Sequence, residues 1–349
     1  MMSPKHSYAS VFPLPVFNFE GGSAPSDLLV KVHDSIRVED VSKLMQQTPP
    51  GFWTDWSFEH GEREAIRLKN TRYALVRRFE CVDSEEMAEK ETSKNLLYRL
   101  YLTLKVICPT KARYLVLHYD LKEENPTIRN TWRNEFDSEL LDCEFGFPIR
   151  PVALCELAQM ARESLDMLGN RTLPVTQATY NFEIGHRAEF VNVRHMLWVA
   201  GLEALFSSRE WQHQGADVVK KRVGYFLGDN FVIYPDQREL GLPRLIGMSL
   251  RDVLGEIFDL RNHFAHGTWP DKGWAGKVCR PTATGVGHIN YSGMLLEAAA
   301  ATLRGCLRKI LGDEKWINVF NDKAKMNSYF ASRGLIRERK RSRNDCNLT

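Results

Sequence analysis

The stretch that decides the fold of the second half of the chain is residues 249–267, which read SLRDVLGEIFDLRNHFAHG. Ser249 is followed three residues later by Asp252, a spacing that resembles a capping box at the start of a helix. Gly267 suits the position just beyond a helix end. The pattern therefore predicts a helix over Ser249–Ala265. Its apolar face is formed by Leu250, Val253, Leu254, Ile257 and Phe264.

Three further segments share this helical periodicity. They are Arg187–Phe206, Asp217–Leu227 and Tyr291–Leu311, and each repeats apolar residues at helical spacing. An amphipathic helix has to bury its apolar face against a neighbour. The four segments therefore predict an all-α four-helix bundle.

The first half of the chain has a different character. Strands are predicted over Val11–Phe19, Arg72–Val82 and Arg113–Leu121, where β-branched and aromatic residues concentrate. Helices are predicted over Ser84–Val106 and Pro151–Leu168. The expected fold class is α+β, with a mixed α/β N-terminal domain followed by the helical bundle.

These elements divide the chain into four parts. Residues 1–168 form the mixed α/β domain, residues 169–186 a polar linker, residues 187–312 the bundle, and residues 313–349 a C-terminal extension with a basic tail. A solvated, flexible tail is the favoured interpretation. A weak tether for RNA is the alternative. The cations of the tail are Arg333, Arg337, Arg339, Lys340, Arg341 and Arg343.

Composition limits the classes of function. The 349 residues carry a formal net charge of +3, too small for bulk binding of nucleic acid, so any such contact must be local. Seven scattered cysteines without a C-x-x-C pair argue against a zinc site and a disulfide scaffold. We expect no metal and no cofactor. No signal peptide or membrane span is recognised, so a cytoplasmic protein without membrane contact is expected.

The segment Gly51–Gly61 is unusually aromatic for a loop. It contains Phe52, Trp53, Trp56 and Phe58. A hairpin that packs into the core is the favoured interpretation, and a recognition surface is the alternative.

Arginine and histidine recur at a short spacing in two places. The two pairs with four to six intervening residues are Arg113–His118 and Arg261–His266. This number of pairs is about what chance predicts. The first pair lies on a predicted strand, where residues five apart point to opposite faces, and it is set aside. The second pair lies at the end of the helix quoted above.

Arg261 continues the apolar face of that helix, so its charge needs a partner. A structural ion pair with a carboxylate such as Glu203 is one interpretation. Alternatively, Arg261 stabilises charge on a phosphate while His266 moves protons, which together can cleave RNA without a metal. Residues five apart on a helix diverge by about 140°. Either the chain turns at His266, or two chains contribute to one site, which predicts a dimer.

These residues resemble the HEPN superfamily, and the helices around them resemble its ApeA-like branch. Arg261-Asn262 followed by His266-Gly267 matches the Arg-x4–6-His motif, and Met196–Phe206 and Lys221-Arg222-Val223 are similar to the first two helices. The resemblance covers about residues 187–312. It implies a metal-independent endoribonuclease that works as a homodimer. Arg261, His266 and Asn262 would be catalytic, and Glu203, Arg222 and His263 would support them.

Residues 267–290 depart from the family pattern because this connection is long. Aromatics interleaved with cations suit RNA bases and phosphates. A glycine-rich surface loop that packs its own tryptophans is the alternative. The candidate RNA-binding residues are Trp269, Lys272, Trp274, Lys277 and Arg280.

The expected substrate is RNA, cut by attack of a ribose 2′-OH on the neighbouring phosphorus. The expected role is that of a toxin or antiviral effector, with a trigger or antitoxin acting through residues 1–168. A non-catalytic HEPN module that binds proteins or nucleotides is the alternative. A different enzyme in the first domain is a third interpretation, but no GxSxG, HExxH, Walker or dinucleotide motif favours it.

Overall fold

The structure is a computed structural model. It describes residues 5–14, 31–107, 114–121, 126–133, 151–207, 215–228, 231, 249–268 and 291–335. The chain divides into two compact units. The first comprises Met1–Arg171 and His186–Glu189, and the second comprises Thr172–Gly185 and Phe190–Thr349.

The first unit is built on a sheet of six described strands. They are β1 (His6–Pro13), β2 (Lys31–His33), β3 (Ile36–Asp40), β4 (Tyr73–Cys81), β5 (Leu115–Asp120) and β6 (Thr127–Arg133). All are paired antiparallel, in the order β2-β3-β4-β1-β5-β6. The strands predicted over Arg72–Val82 and Arg113–Leu121 are confirmed as β4 and β5. The strand predicted over Val11–Phe19 starts earlier, and residues 15–19 lie outside the described part.

The central strand β1 is buried on both faces because helices cover both sides of the sheet. Ala9 and Val11 share one core with residues of three short helices, α1 (Ser42–Gln47), α2 (Pro50–His60) and α3 (Glu62–Lys69). The alternate β1 residues, Tyr8, Ser10 and Phe12, point to the opposite face. That face is covered by α4 (Glu86–Ile107), which contacts β1, β4 and β5 and packs against α5 (Pro151–Ser164).

Helix α2 corrects the expected hairpin at Gly51–Gly61. Trp53 and Trp56 lie three residues apart and both are buried in the core, so their packing role is confirmed. Their spacing places them on one face of a helix, which the aromatic content alone did not indicate. Phe58 points away from this core and is 92% exposed.

The second unit is helical in its described residues. Its helices are α6 (Pro174–Arg187), α7 (Val191–Phe206), α8 (Gly215–Leu227), α9 (Leu250–Ala265), α10 (Tyr291–Leu311), α11 (Glu314–Phe320) and α12 (Lys323–Ala331). Helix α6 occupies residues 174–186 of the segment 169–186 that was expected to be a linker. Its buried residues Val175, Ala178 and Phe182 recur at helical spacing, but the polar residues between them hid the pattern.

Helices α7, α8, α9 and α10, the four predicted from the sequence, contact one another in every pairwise combination. Gly201 permits close approach of α7 and α10, since a Cβ there would lie 2.6 Å from Leu303 Cδ2. Helices α11 and α12 belong to the same packing, because Phe320 and Phe330 are fully buried. Residues 314–331 are therefore part of the helical unit, and an α+β fold class is confirmed.

Candidate functional site

The candidate site lies at the C-terminal end of α9. Ser249 begins this helix by accepting a hydrogen bond from the Asp252 backbone N–H at 3.2 Å. At the other end, the N–H of Gly267 donates to Phe264 and that of Thr268 donates to His263. This pair of bonds is a Schellman motif, and the left-handed φ of +64° that it requires is supplied by Gly267. The helix therefore ends sharply after His266.

Arg261 is held at the surface by a carboxylate of α7. Its Nη2 donates to Glu203 at 3.0 and 3.3 Å, and its Nη1 donates to Asn262 Oδ1 at 3.2 Å. Both members of the ion pair are 31% exposed. At this exposure such a pair contributes about 0–1 kcal/mol, so it orients the guanidinium without fixing it permanently.

His266 is exposed and caps the end of α9. Its backbone N–H still donates to Asn262 O at 3.0 Å, the bond that continues a helical turn. The chain therefore leaves the helical path after His266, and Arg261 and His266 remain about 140° apart around the axis. His263 lies between them in sequence, and its Nδ1 is 3.1 Å from Thr268 Oγ1.

A buried histidine fixes α7 against α9 next to this site. The Nε2–H of His195 donates to Ile257 O at 2.8 Å, one turn before Arg261. The ring of Phe264 meets the imidazole edge-to-face, with centroids 5.6 Å apart. Burial lowers the pKa of His195 to about 4, so the imidazole is neutral near pH 7. This contact sets the position from which Glu203 reaches Arg261.

Arg222 was expected to support the catalytic residues, but its hydrogen bonds lie elsewhere. It is fully buried and donates to Phe206 O at 2.7 Å and to Asn327 Oδ1 at 2.9 Å. Its guanidinium carbon lies 5.2 Å from the centre of the Phe330 ring. Burial lowers the pKa of Arg222 to about 10. Arg222 thus joins α7 and α8 to α12, which is a structural role.

The candidate RNA-binding residues belong to the segment between α9 and α10. Residues 269–290 lie outside the described part, and so do residues 336–349 of the basic tail. The first group contains Trp269, Lys272, Trp274, Lys277 and Arg280.

The first unit contains a buried polar cluster that sequence reasoning missed. His118 is fully buried, and its Nδ1 lies 3.1 Å from the hydroxyl of Ser10, its direct neighbour across the sheet. Its Nε2 lies 3.9 Å from Glu86, which also accepts from Tyr8 Oη at 3.1 Å and pairs with Lys90 at 2.5 Å. His118 had been set aside with Arg113, and residue 113 lies outside the described part.

Burial and neighbouring charges together determine the pKa values of His118 and Glu86 in this cluster. Burial, together with the charge of Lys90, lowers the pKa of His118 to about 4. Burial alone would raise the pKa of Glu86, but the hydrogen bond and charge of Lys90 hold that pKa below its usual value. The cluster joins β1 and β5 to α4. Ser10 and His118 are themselves fully buried, which leaves no accessible surface where a substrate could meet them.

Comparisons with protein-family models, with curated proteins and with solved structures found no match for this chain. Among the described side chains, no group of three or more His, Cys, Asp and Glu is arranged to hold a metal ion. No helix in the described ranges combines the length and apolar character needed to cross a membrane.

Proposed function

We propose that this protein is a metal-independent endoribonuclease of the HEPN type, and that it acts as a toxin or an antiviral effector. The observation that carries the proposal is the arrangement at the end of α9. A partly exposed guanidinium is oriented by Glu203, and Asn262 and His266 stand exposed on the same helix end. Arginine and histidine are the residue types that stabilise phosphate charge and transfer protons.

The proposed reaction begins at a ribose 2′-OH. The neutral imidazole of His266 takes the proton from this hydroxyl, and the oxygen attacks the adjacent phosphorus. Arg261 stabilises the negative charge of the phosphorane. The bond to the 5′-oxygen then breaks, and that oxygen receives a proton. The products are a 2′,3′-cyclic phosphate and a 5′-hydroxyl, with no net oxidation and no metal step.

Glu203 has to release the arginine in part when a phosphate binds. Its carboxylate neutralises Arg261 in the free protein and would repel a phosphate at the same place. The ion pair is worth about 0–1 kcal/mol at this exposure, whereas charge-assisted contacts of a guanidinium with phosphate are among the stronger hydrogen bonds. Substrate can therefore replace one oxygen of Glu203 at little cost.

The angular separation of the two residues favours a composite site. Because Arg261 and His266 diverge by about 140° on one helix, one chain does not direct both toward a single phosphate. A second copy, related by a two-fold axis, could place its own His266 opposite Arg261, so that the guanidinium and the imidazole acting on one phosphate come from different chains. That imidazole accepts the 2′-OH proton and returns a proton to the leaving oxygen. We therefore include a homodimer in the proposal.

The test compares four full-length proteins with RNA in the presence of EDTA. The parent is expected to cleave, and Arg261→Ala and His266→Ala are expected to lose roughly 10²- to 10⁴-fold in rate. Arg251→Ala, which removes an exposed arginine from the first turn of α9, is the matched control and should cleave like the parent. Cells that express each protein should show growth arrest and RNA fragments with the parent and the control alone. Equal cleavage by folded His266→Ala would refute the proposal.

A second candidate is a non-catalytic HEPN module that binds proteins or nucleotides. The ion pair between Arg261 and Glu203 favours it, because a structural arginine would make this contact. In that case neither the parent nor any variant would cleave RNA or arrest growth.

A further inference from the structure

Helices α8, α11 and α12, with the turn that follows α12, carry a run of aromatic and cationic side chains, distinct from the end of α9. The guanidinium carbon of Arg333 lies 3.8 Å from the ring centre of Tyr329 and 6.0 Å from that of Tyr225. Tyr329 meets Trp316 edge-to-face with centroids 5.0 Å apart. Lys315 lies 5.1 Å from the Trp316 ring centre. We call these five residues the aromatic–cationic surface.

This surface is accessible although part of it is packed. Tyr225 is 46% exposed, Arg333 and Lys315 are exposed, and Tyr329 and Trp316 are half-buried. Arg333 Nη1 also donates to Tyr329 O and to Ser332 Oγ, each at 2.9 Å. These two bonds hold the guanidinium over the Tyr329 ring. The arginine is therefore ordered in advance, next to an exposed ring.

We propose that the aromatic–cationic surface binds single-stranded RNA and so forms a second contact for the substrate of the proposed nuclease. Exposed rings beside guanidinium groups bind such strands because bases stack on rings and phosphates pair with cations. The proposal rests on the proposed function only for the identity of the ligand. The surface itself requires neither Arg261 nor His266.

The charge of the sequence that follows α12 favours a polyanion. The whole protein carries only +3, yet five of the seven residues 337–343, which follow α12 in the sequence, are arginine or lysine. Carboxylates concentrate at the other end of the surface, where Asp313 and Glu314 precede Lys315. Arg333 is therefore expected to contribute more to RNA binding than Lys315 does.

The test is fluorescence anisotropy with a labelled mixed-sequence strand of about 12 nucleotides. RNA is used with full-length His266→Ala, and DNA of the same sequence with the parent, because DNA lacks the 2′-OH that cleavage needs. The surface contacts ring faces and phosphates, so the two strands should bind within about threefold of each other. Tyr225→Leu and Arg333→Gln are each expected to weaken binding about tenfold.

Two further variants separate stacking from charge. Arg333→Gln should reduce the slope of log Kd against log salt by about 0.7, whereas Arg333→Lys should keep that slope and still lose affinity because the planar stack is lost. Arg251→Gln, an exposed arginine on α9, is the matched control and should change affinity less than about twofold. Thermal unfolding of each variant verifies that it is folded.

The outcomes distinguish this inference from the proposed function. Binding that depends on Tyr225 and Arg333, with a parent that does not cleave RNA, would support this surface and refute the nuclease. Cleavage by the parent, with binding unchanged in Tyr225→Leu and Arg333→Gln, would support the nuclease and refute this surface. Absence of binding to either strand, or equal weakening in Arg251→Gln, would overturn the surface proposal.

Discussion

The C-terminal ends of α7 and α9 belong to the same helical unit but are closed in opposite ways. At the end of α7, one buried and one half-buried cation from other helices bind the backbone carbonyls. Lys323 donates to Ala204, Leu205 and Ser207, and Arg222 donates to Phe206. At the end of α9, backbone N–H groups of residues 266–268 bind the carbonyls instead. The last carbonyls of α9 therefore need no hydrogen bond from the side chains of Arg261 or His266.

This difference explains why two arginines of one unit have different roles. Arg222 is fully buried among neutral partners, whereas Arg261 is 31% exposed beside a carboxylate. Burial also affects Lys323, because burial and the charge of Arg222 lower its pKa to about 8. A charge at the end of α7 stabilises the fold, and a charge at the end of α9 remains at the surface, where the proposed function requires it.

The largest effect on stability is expected from Arg222. Arg222→Met removes the donor to the buried Phe206 carbonyl and the hydrogen bond to Asn327, and should lower the free energy of unfolding by about 3 kcal/mol. Arg261→Ala should change it by less than about 1 kcal/mol. Urea unfolding of both variants measures the two values. Similar losses of unfolding free energy in the two variants would contradict the different roles assigned to Arg222 and Arg261.

A smaller effect is expected from pH through His195, which is buried on α7. Its pKa of about 4 lies below the ordinary 6.5, so between these values the unfolded chain binds a proton that the folded protein does not. Stability should therefore fall as pH falls from about 6.5 toward 4. His195→Gln keeps a donor for Ile257 O and cannot titrate. The parent should lose about 2 kcal/mol more than this variant between pH 6.5 and 5.

If His195→Gln has the same pH dependence as the parent, the pKa of His195 is not lowered in the folded protein.

The smallest effect is expected at two glycines of α9. Gly267 has a φ of +64°, so Gly267→Ala should cost about 1 kcal/mol. Gly255 lies inside the helix, and a Cβ there would meet nothing within 4 Å. Gly255→Ala should therefore stabilise the protein by about 0.5–1 kcal/mol. Thermal unfolding distinguishes the two signs, and stabilisation by Gly267→Ala would argue against the left-handed closure of α9.

Local signals predicted much of the fold. Helix α10 has the predicted bounds, and α9 begins one residue after its predicted cap, Ser249, because the periodicity and cap residues of each helix lie within one segment. Helix α6 was missed because polar residues dilute its apolar positions. The burial of Arg222 was also missed, since Met326, Asn327 and Phe330 lie more than 100 residues further along the chain.

The candidate site also contains features that the sequence could predict and features that it could not. The contact of Arg261 with Glu203 could be foreseen, because a cation on an apolar helix face needs a carboxylate on the facing helix. The cluster around His118 could not, because its partner Ser10 comes from a strand 108 residues away. Strand alternation excluded only the pairing of His118 with Arg113. It carried no information about the neighbouring strand.

The most direct test of the central claim is the chemistry of the cut ends. The full-length parent is incubated in EDTA with an RNA strand and with the same strand carrying 2′-O-methyl groups, and the products are examined by mass spectrometry. The Arg261–His266 mechanism predicts 2′,3′-cyclic phosphate and 5′-hydroxyl ends from the RNA and an intact methylated strand. Cleavage of the methylated strand, or products with 5′-phosphate ends, would contradict it.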